Sequence, residues 1–116
     1  MKEVRKLKVE SLIQEIIGHL IITEEIKDPR VSSFLSVKEV RVSSDLSSAK
    51  VYMSSFQTEK SLEKGVQALN HAAGYIQGLL GKRMATRSTP KLVFIADDSI
   101  VKGMELNHKI DESLDP

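Results

Sequence analysis

"ALNHAAGYIQGLLGKRM", residues Ala68 to Met84, decides how this chain folds. Its apolar residues recur at helical spacing, yet Gly74, Gly78 and Gly81 sit among them. A glycine inside a helix costs about 1 kcal/mol relative to alanine, so three together remove a large share of what stabilises a small domain. Extended toward the N-terminus, the pattern becomes Leu62, Val66, Leu69, Ala73, Ile76, Leu80 and Met84, one stripe that passes Gly74 without losing phase. The spacing predicts a helix on each side of Gly74 and a bend at that glycine, because sharp bends in helices have specific causes and small flexible residues are one of them.

Before this stretch, Val9, Ile13, Ile16, Ile17 and Leu20 recur every three or four residues with polar side chains opposite, which predicts an amphipathic helix over Lys2 to Ile22. It must end before Asp28-Pro29, since the residue ahead of a proline is pushed out of the helical region. "FLSVKEVRVS" and "SAKVYMSSF", joined by "SDLS", read as two strands of a hairpin with Asp45 as a turn residue. Leu35 and Val37 fall on one face of an ideal strand and Val40 and Val42 on the other, so one extra residue near Lys38-Glu39 is needed to bring all four to the core. In the second strand Ala49, Val51 and Met53 form the dry face, and Lys50, Tyr52 and Ser54 the wetter one. After the bent helices, "PKLVFIAD" reads as a third strand with Pro90 at its start, and a last helix is expected over Ser99 to Lys109 with Ile100, Met104 and Ile110 inward.

With 116 residues, 28% charged and 41% hydrophobic, the chain has room for one core and no second domain. It has no cysteine, which excludes disulfides, thiolate metal sites and cysteine nucleophiles and makes the cytoplasm the expected location. No stretch is apolar enough for a membrane span or a secretory signal. The absence of tryptophan and the 4% aromatic content argue against a large stacking platform for single-stranded nucleic acid. The net charge of +1 hides an uneven distribution: from Lys64 to Ala96 there is no acid, and Lys64, Lys82, Arg83, Arg87 and Lys91 supply +5. Such a stretch is either a solvated face whose lysines pair across the fold or a surface for a polyanion.

The order helix, strand, strand, helix, bend, helix, strand predicts a two-layer α+β domain, with helices on one face of a three-stranded sheet. It resembles the K-homology fold of the second topological type, α-β-β-α-kink-α-β, whose nucleic-acid element is a turn between the two consecutive helices. Ala72-Ala73-Gly74 stands at that joint. The segments "KDPRV" (27–31), "VSSDLSSAKVYMS" (42–54), "ALNHAAGYIQGLLGKRM" and "RSTPKLVFIADDS" (87–99) resemble, in order and spacing, the successive signatures of bacterial ribosome-binding factor A. The resemblance implies a cytoplasmic assembly factor that binds the small (30S) ribosomal subunit and its 16S rRNA late in maturation, assists processing of the rRNA 5′ end, and matters most in the cold. It also implies an interhelical Ala-x-Gly kink at Ala72 and Gly74 in place of the usual glycine-rich turn. Residues 1–110 are then one RNA-binding domain and 111–116 a short acidic tail.

The expected RNA-binding residues are Ala72, Ala73, Gly74, Tyr75 and Gln77 at the kink, Lys82, Arg83, Arg87 and Lys91 beyond it, and Arg5, Lys6, Lys8 and Arg30 in support. Gly78 and Gly81 are read as packing or fraying positions. The chain departs from the family in having Gln77 where an arginine is frequent and Lys91 where an acid is common. It closes on "DESLDP", where many members carry a longer tail, which leaves any tail-dependent contact with the ribosome in question. His19, His71 and His108 lack metal-ligand spacing, Asp97-Asp98 reads as a helix start with Asp98 or Ser99 accepting from the next helix's first amides, and no nucleophile-base pair or phosphate loop occurs, so neither enzyme activity nor a cofactor is expected. Arg30 in "DPR" either pairs locally or touches RNA. The expected partners are the small subunit and other assembly factors, with the chain itself a monomer. The rival from another class is a protein-interaction adaptor that uses the sheet edge or the last helix.

Overall fold

In the computed structural model, which describes residues 2–32, 34–84 and 89–103, helix α1 spans Lys2–Ile22, the range its apolar spacing predicts. Ile13, Ile16, Ile17, Leu20 and Ile21 are buried along one side. The helix stops in a left-handed residue, Glu24 at φ 58°, with the Glu25 amide donating to the Leu20 carbonyl and the Glu24 amide to that of Ile21. This is the hydrogen-bond pattern that usually employs glycine to close a helix. It turns the chain back before Pro29.

Strands β1 (Leu35–Val42) and β2 (Ser48–Ser55) pair antiparallel, and β3 (Lys91–Ala96) pairs parallel to β2, giving the order β1-β2-β3. The expected bulge is present: Val37 faces Met53 and Glu39 faces Tyr52, leaving Lys38 as the extra residue. Leu35, Val40 and Val42 are buried as a result, and Val37 packs against the same core. Ala49, Val51 and Met53 are fully buried. Ser54 departs from its expected wet position; it is buried, with its Oγ 2.9 Å from Ser36 Oγ. Asp45 holds the hairpin turn, its Oδ1 accepting from the Ser47 amide, Ser47 Oγ and Ser43 Oγ, which lower its pKa from 3.8 to about 2.

Helix α2 (Glu59–His71) starts on Thr58, whose hydroxyl accepts from the Ser61 amide, and α3 (Ala73–Met84) follows at once. The two are separated at Ala72, not at Gly74. Ala72 has φ −94° and ψ 9°, while its amide still donates to Ala68 and its carbonyl accepts from Ile76. Those angles lie in the bridge region that alanine can adopt, so the bend requires no glycine conformation. No glycine among the described residues has a positive φ.

α1, α2 and α3 cover one face of the sheet, where Leu62, Leu69, Ile76, Leu80 and Phe94 join the α1 side chains in a single core. The architecture is the expected two-layer α+β domain of K-homology type. Residues 99–103 form the described part of the last helix; Val101 is its buried residue and Ile100 is half-buried, while Met104 and Ile110 lie outside the described residues. Asp97 rather than Asp98 or Ser99 accepts at the start of this helix, its Oδ1 taking the Ser99 amide while Asp98 pairs with Lys102, and its Oδ2 takes Lys38 Nζ at 2.7 Å, which lowers its pKa strongly. The bulge residue thereby fastens the start of this helix to β1. Among the described residues no helix is long and apolar enough to cross a membrane.

Candidate nucleic-acid interface

Ile76 and Leu80 turn α3 toward the core, which fixes what its other side presents. Gly74, Gln77, Gly78, Gly81 and Lys82, at i, i+3, i+4, i+7 and i+8, line one open groove of about 500 Å3 that is walled by Thr89. The three glycines therefore share a face. A Cβ built on Gly74 or Gly78 meets nothing within 4 Å, so Gly78 is not a packing position; one built on Gly81 runs into Thr89 Oγ1, so Gly81 is. The bare stripe lets another backbone approach the helix closely. Because α3 begins anew at Ala73, its positive dipole end lies at a joint where Ala72 and Ala73 are half-buried against the core and Gly74 and Tyr75 are exposed, and no acidic side chain occupies its first turn. Tyr75 beside it is 59% exposed.

The joint is held in place by Asn70, which sequence reasoning did not single out. Its Nδ2 donates to the Phe94 carbonyl at 2.9 Å and its Oδ1 accepts from the Phe94 amide at 2.8 Å. One side chain thus satisfies both backbone groups on the free edge of β3, two residues before the bend. The available signal was the amide itself, since asparagine favours backbone hydrogen bonding over the helix interior.

The predicted site residues do not all meet. Ala72, Ala73, Gly74, Tyr75, Gln77 and Lys82 lie on or beside the α3 groove, and Lys82 has no ion-pair partner among the described residues. Arg83 Nη2 is held by Glu25 Oε2 at 2.8 Å, so its charge is already shared. Lys91 alternates with buried Leu92 and Phe94 and so projects from the opposite side of the sheet. Arg5 and Lys6 line a separate cleft with Ser44, Asp45 and Leu46, and Lys8 lies on a different side of α1, beside Leu7 and Leu12. Arg30 takes the local alternative: its guanidinium forks onto Asp28 at 3.1 and 2.9 Å, lowering the Asp28 pKa from 3.8 to about 2. Arg87 lies outside the described residues.

Residues 5–110 match the family model described as ribosome-binding factor A. A protein of that name from Borrelia garinii subsp. bavariensis is 49% identical over 113 residues, 97% of this chain and 93% of the relative. That from Treponema pallidum is 45% identical over 96% of this chain and 90% of its own length. The crystal structure of ribosome-binding factor A from Thermus thermophilus is similar with a TM-score of 0.66 at 31% identity, covering 78% of this chain and 94% of that one. A homology model of the Thermus thermophilus factor, fitted into a cryo-EM map of its complex with the 30S subunit, matches with a TM-score of 0.63 at 28% identity over 78% of this chain and 93% of that one. With the kinked helix pair, the three-stranded sheet and near full-length identity in agreement, this chain belongs to the ribosome-binding factor A family.

Proposed function

We propose that this chain is a non-catalytic assembly factor that binds the 16S rRNA of the small ribosomal subunit in the cytoplasm. It acts late in maturation, as a monomer, and assists processing of the rRNA 5′ end, most critically in the cold. Residues 1–110 form the RNA-binding unit and 111–116 a short tail. The observation that carries this reading is the pair Gly74 and Gly78, bare in an open groove that runs to Lys82, which has no ion-pair partner among the described residues. The 30S complex of the Thermus thermophilus relative supports the choice of partner.

A phosphate-sugar backbone lies against the glycine stripe, with its charge met by Lys82, by the start of α3 and by Arg83 when it leaves Glu25. Such contacts position a protein without reading sequence. Selectivity then comes from rRNA shape, and by binding one conformation more tightly the protein shifts the rRNA toward it. An adaptor that pairs through the sheet edge is disfavoured, because Asn70 occupies β3 at Phe94 and Glu10 Oε2 accepts from the Val42 amide on the β1 edge.

Substituting Lys82, Arg83 and Arg87 by glutamine tests the reading. Affinity for purified small subunits is expected to fall and its dependence on salt to flatten by about 0.7 to 0.9 logarithmic units per lost phosphate contact. An unchanged affinity and slope would remove the basic groove from the mechanism.

A further inference from the structure

Phe34 and Phe56 stand on the surface, 48% and 57% exposed, at the open end of the β1-β2 hairpin. They are neighbours, with the Phe56 amide donating to the Phe34 carbonyl at 3.3 Å. The chain has three phenylalanines, and the third, Phe94, lies in the core. Two large rings left exposed on residues whose backbones pair forgo the burial that phenylalanine usually gains, which marks a contact surface.

The chemistry next to them narrows the partner. A groove of about 410 Å3 between Pro29–Ser32 and the first turns of α2 is lined by Lys60, Lys64 and the Asp28-paired Arg30, and no acidic side chain is among its described lining residues. Lys60, Lys64, Gln67 and His71 are all exposed and recur at helical spacing, so one stripe of α2 leads from this groove to the joint at Ala72. Arg30 shares that groove with Lys60, Ser61 and Lys64, which places the Pro29–Arg30 loop alongside the first turns of the same stripe. Thirteen residues of helix make the track about 20 Å long.

We infer that this surface is a second contact for unpaired rRNA: bases stack on Phe34 and Phe56, and the phosphates follow Lys60 and Lys64 along α2 toward Gly74. The inference rests on the RNA-binding reading above and adds a substrate class to it. A duplex keeps its base faces stacked inside and offers these rings nothing, whereas a single strand can splay its bases onto aromatic side chains. Although the low aromatic content argues against a large platform, two exposed rings near a cationic track are enough for one or two nucleotides.

The test uses the full chain with an unstructured RNA of about twelve nucleotides, within the span of known single-strand sites, and with purified small subunits. Phe34→Ala combined with Phe56→Ala is expected to weaken RNA binding about ten-fold or more at an unchanged salt slope, the signature of lost stacking. Lys60→Gln with Lys64→Gln should flatten the slope by about 1.4 logarithmic units. Because the chain has no tryptophan, Phe56→Trp supplies a single reporter whose emission is quenched by bound RNA, and this readout stands even if the alanine variant folds poorly. Wild-type affinity in the alanine variant, or an unquenched tryptophan at saturating RNA, overturns the inference. So does a loss confined to whole subunits with naked RNA unaffected, since the rings then meet protein. Lys82→Gln separates the two readings: if it weakens binding while the phenylalanine variant does not, the α3 groove stands and this second contact falls.

Discussion

An added methyl at Gly74 or Gly78 enters open space, whereas at Gly65 it would collide with Cγ and both Cδ atoms of Leu35, which is buried. All three are helical glycines, Gly65 in α2 and the other two in α3, and the neighbour across the layer distinguishes them. Gly65 is needed because α2 lies close against β1; Gly65→Ala is expected to lower stability by about 1 to 3 kcal/mol through overpacking, offset in part by the better helix former. Gly74→Ala and Gly78→Ala should each raise stability by about 1 kcal/mol in urea unfolding. The same two substitutions should weaken small-subunit binding, because the methyls fill the groove. Stabilised variants that bind normally would show that the glycines serve no ligand. This pairing of opposite signs is the cleanest separation of function from folding available at a single residue.

Among the elements, the joint between α2 and α3 depends on Asn70. Asn70→Ala strands the Phe94 amide and carbonyl, and is expected to cost about 1 to 3 kcal/mol for those part-buried groups and to speed hydrogen exchange at the Phe94 amide. Exchange at wild-type rate would mean that the fork contributes nothing. The elements themselves were legible in the sequence. Apolar spacing located α1, the broken alternation of Leu35, Val37, Val40 and Val42 located the bulge, and Asp45 marked the turn. Apolar spacing points to Gly74, two residues beyond the actual break at Ala72, since it survives a change in one ψ angle and carries no record of where that change occurs. The site was less legible because its parts converge from separate elements. A linear tally counts Lys91 and Arg83 with Lys82, but strand alternation sends Lys91 to the other side of the sheet and Glu25 captures Arg83.

For the molecule as a whole, acid exposes which carboxylates the fold relies on. Asp28 and Asp45 titrate at about 2 instead of 3.8, and Asp97 is lowered further by Lys38. Depressed folded values mean that the unfolded chain takes up protons first. Their stabilisation is complete above pH 4 and is lost as pH falls toward 2, in small steps because the groups are exposed. Urea unfolding followed from pH 5 to 2 should show that decline, and Asp97→Asn should flatten it; an equally steep decline in the variant would exclude Asp97 as a contributor. Glu10 and Asn70 have a wider effect, since each helix lends a side chain to an outer strand. A fibril grows when an incoming chain finds a row of free amides to extend, and here that row is interrupted on both flanks. Strand-to-strand growth of one copy onto another is therefore hindered at both edges of the sheet.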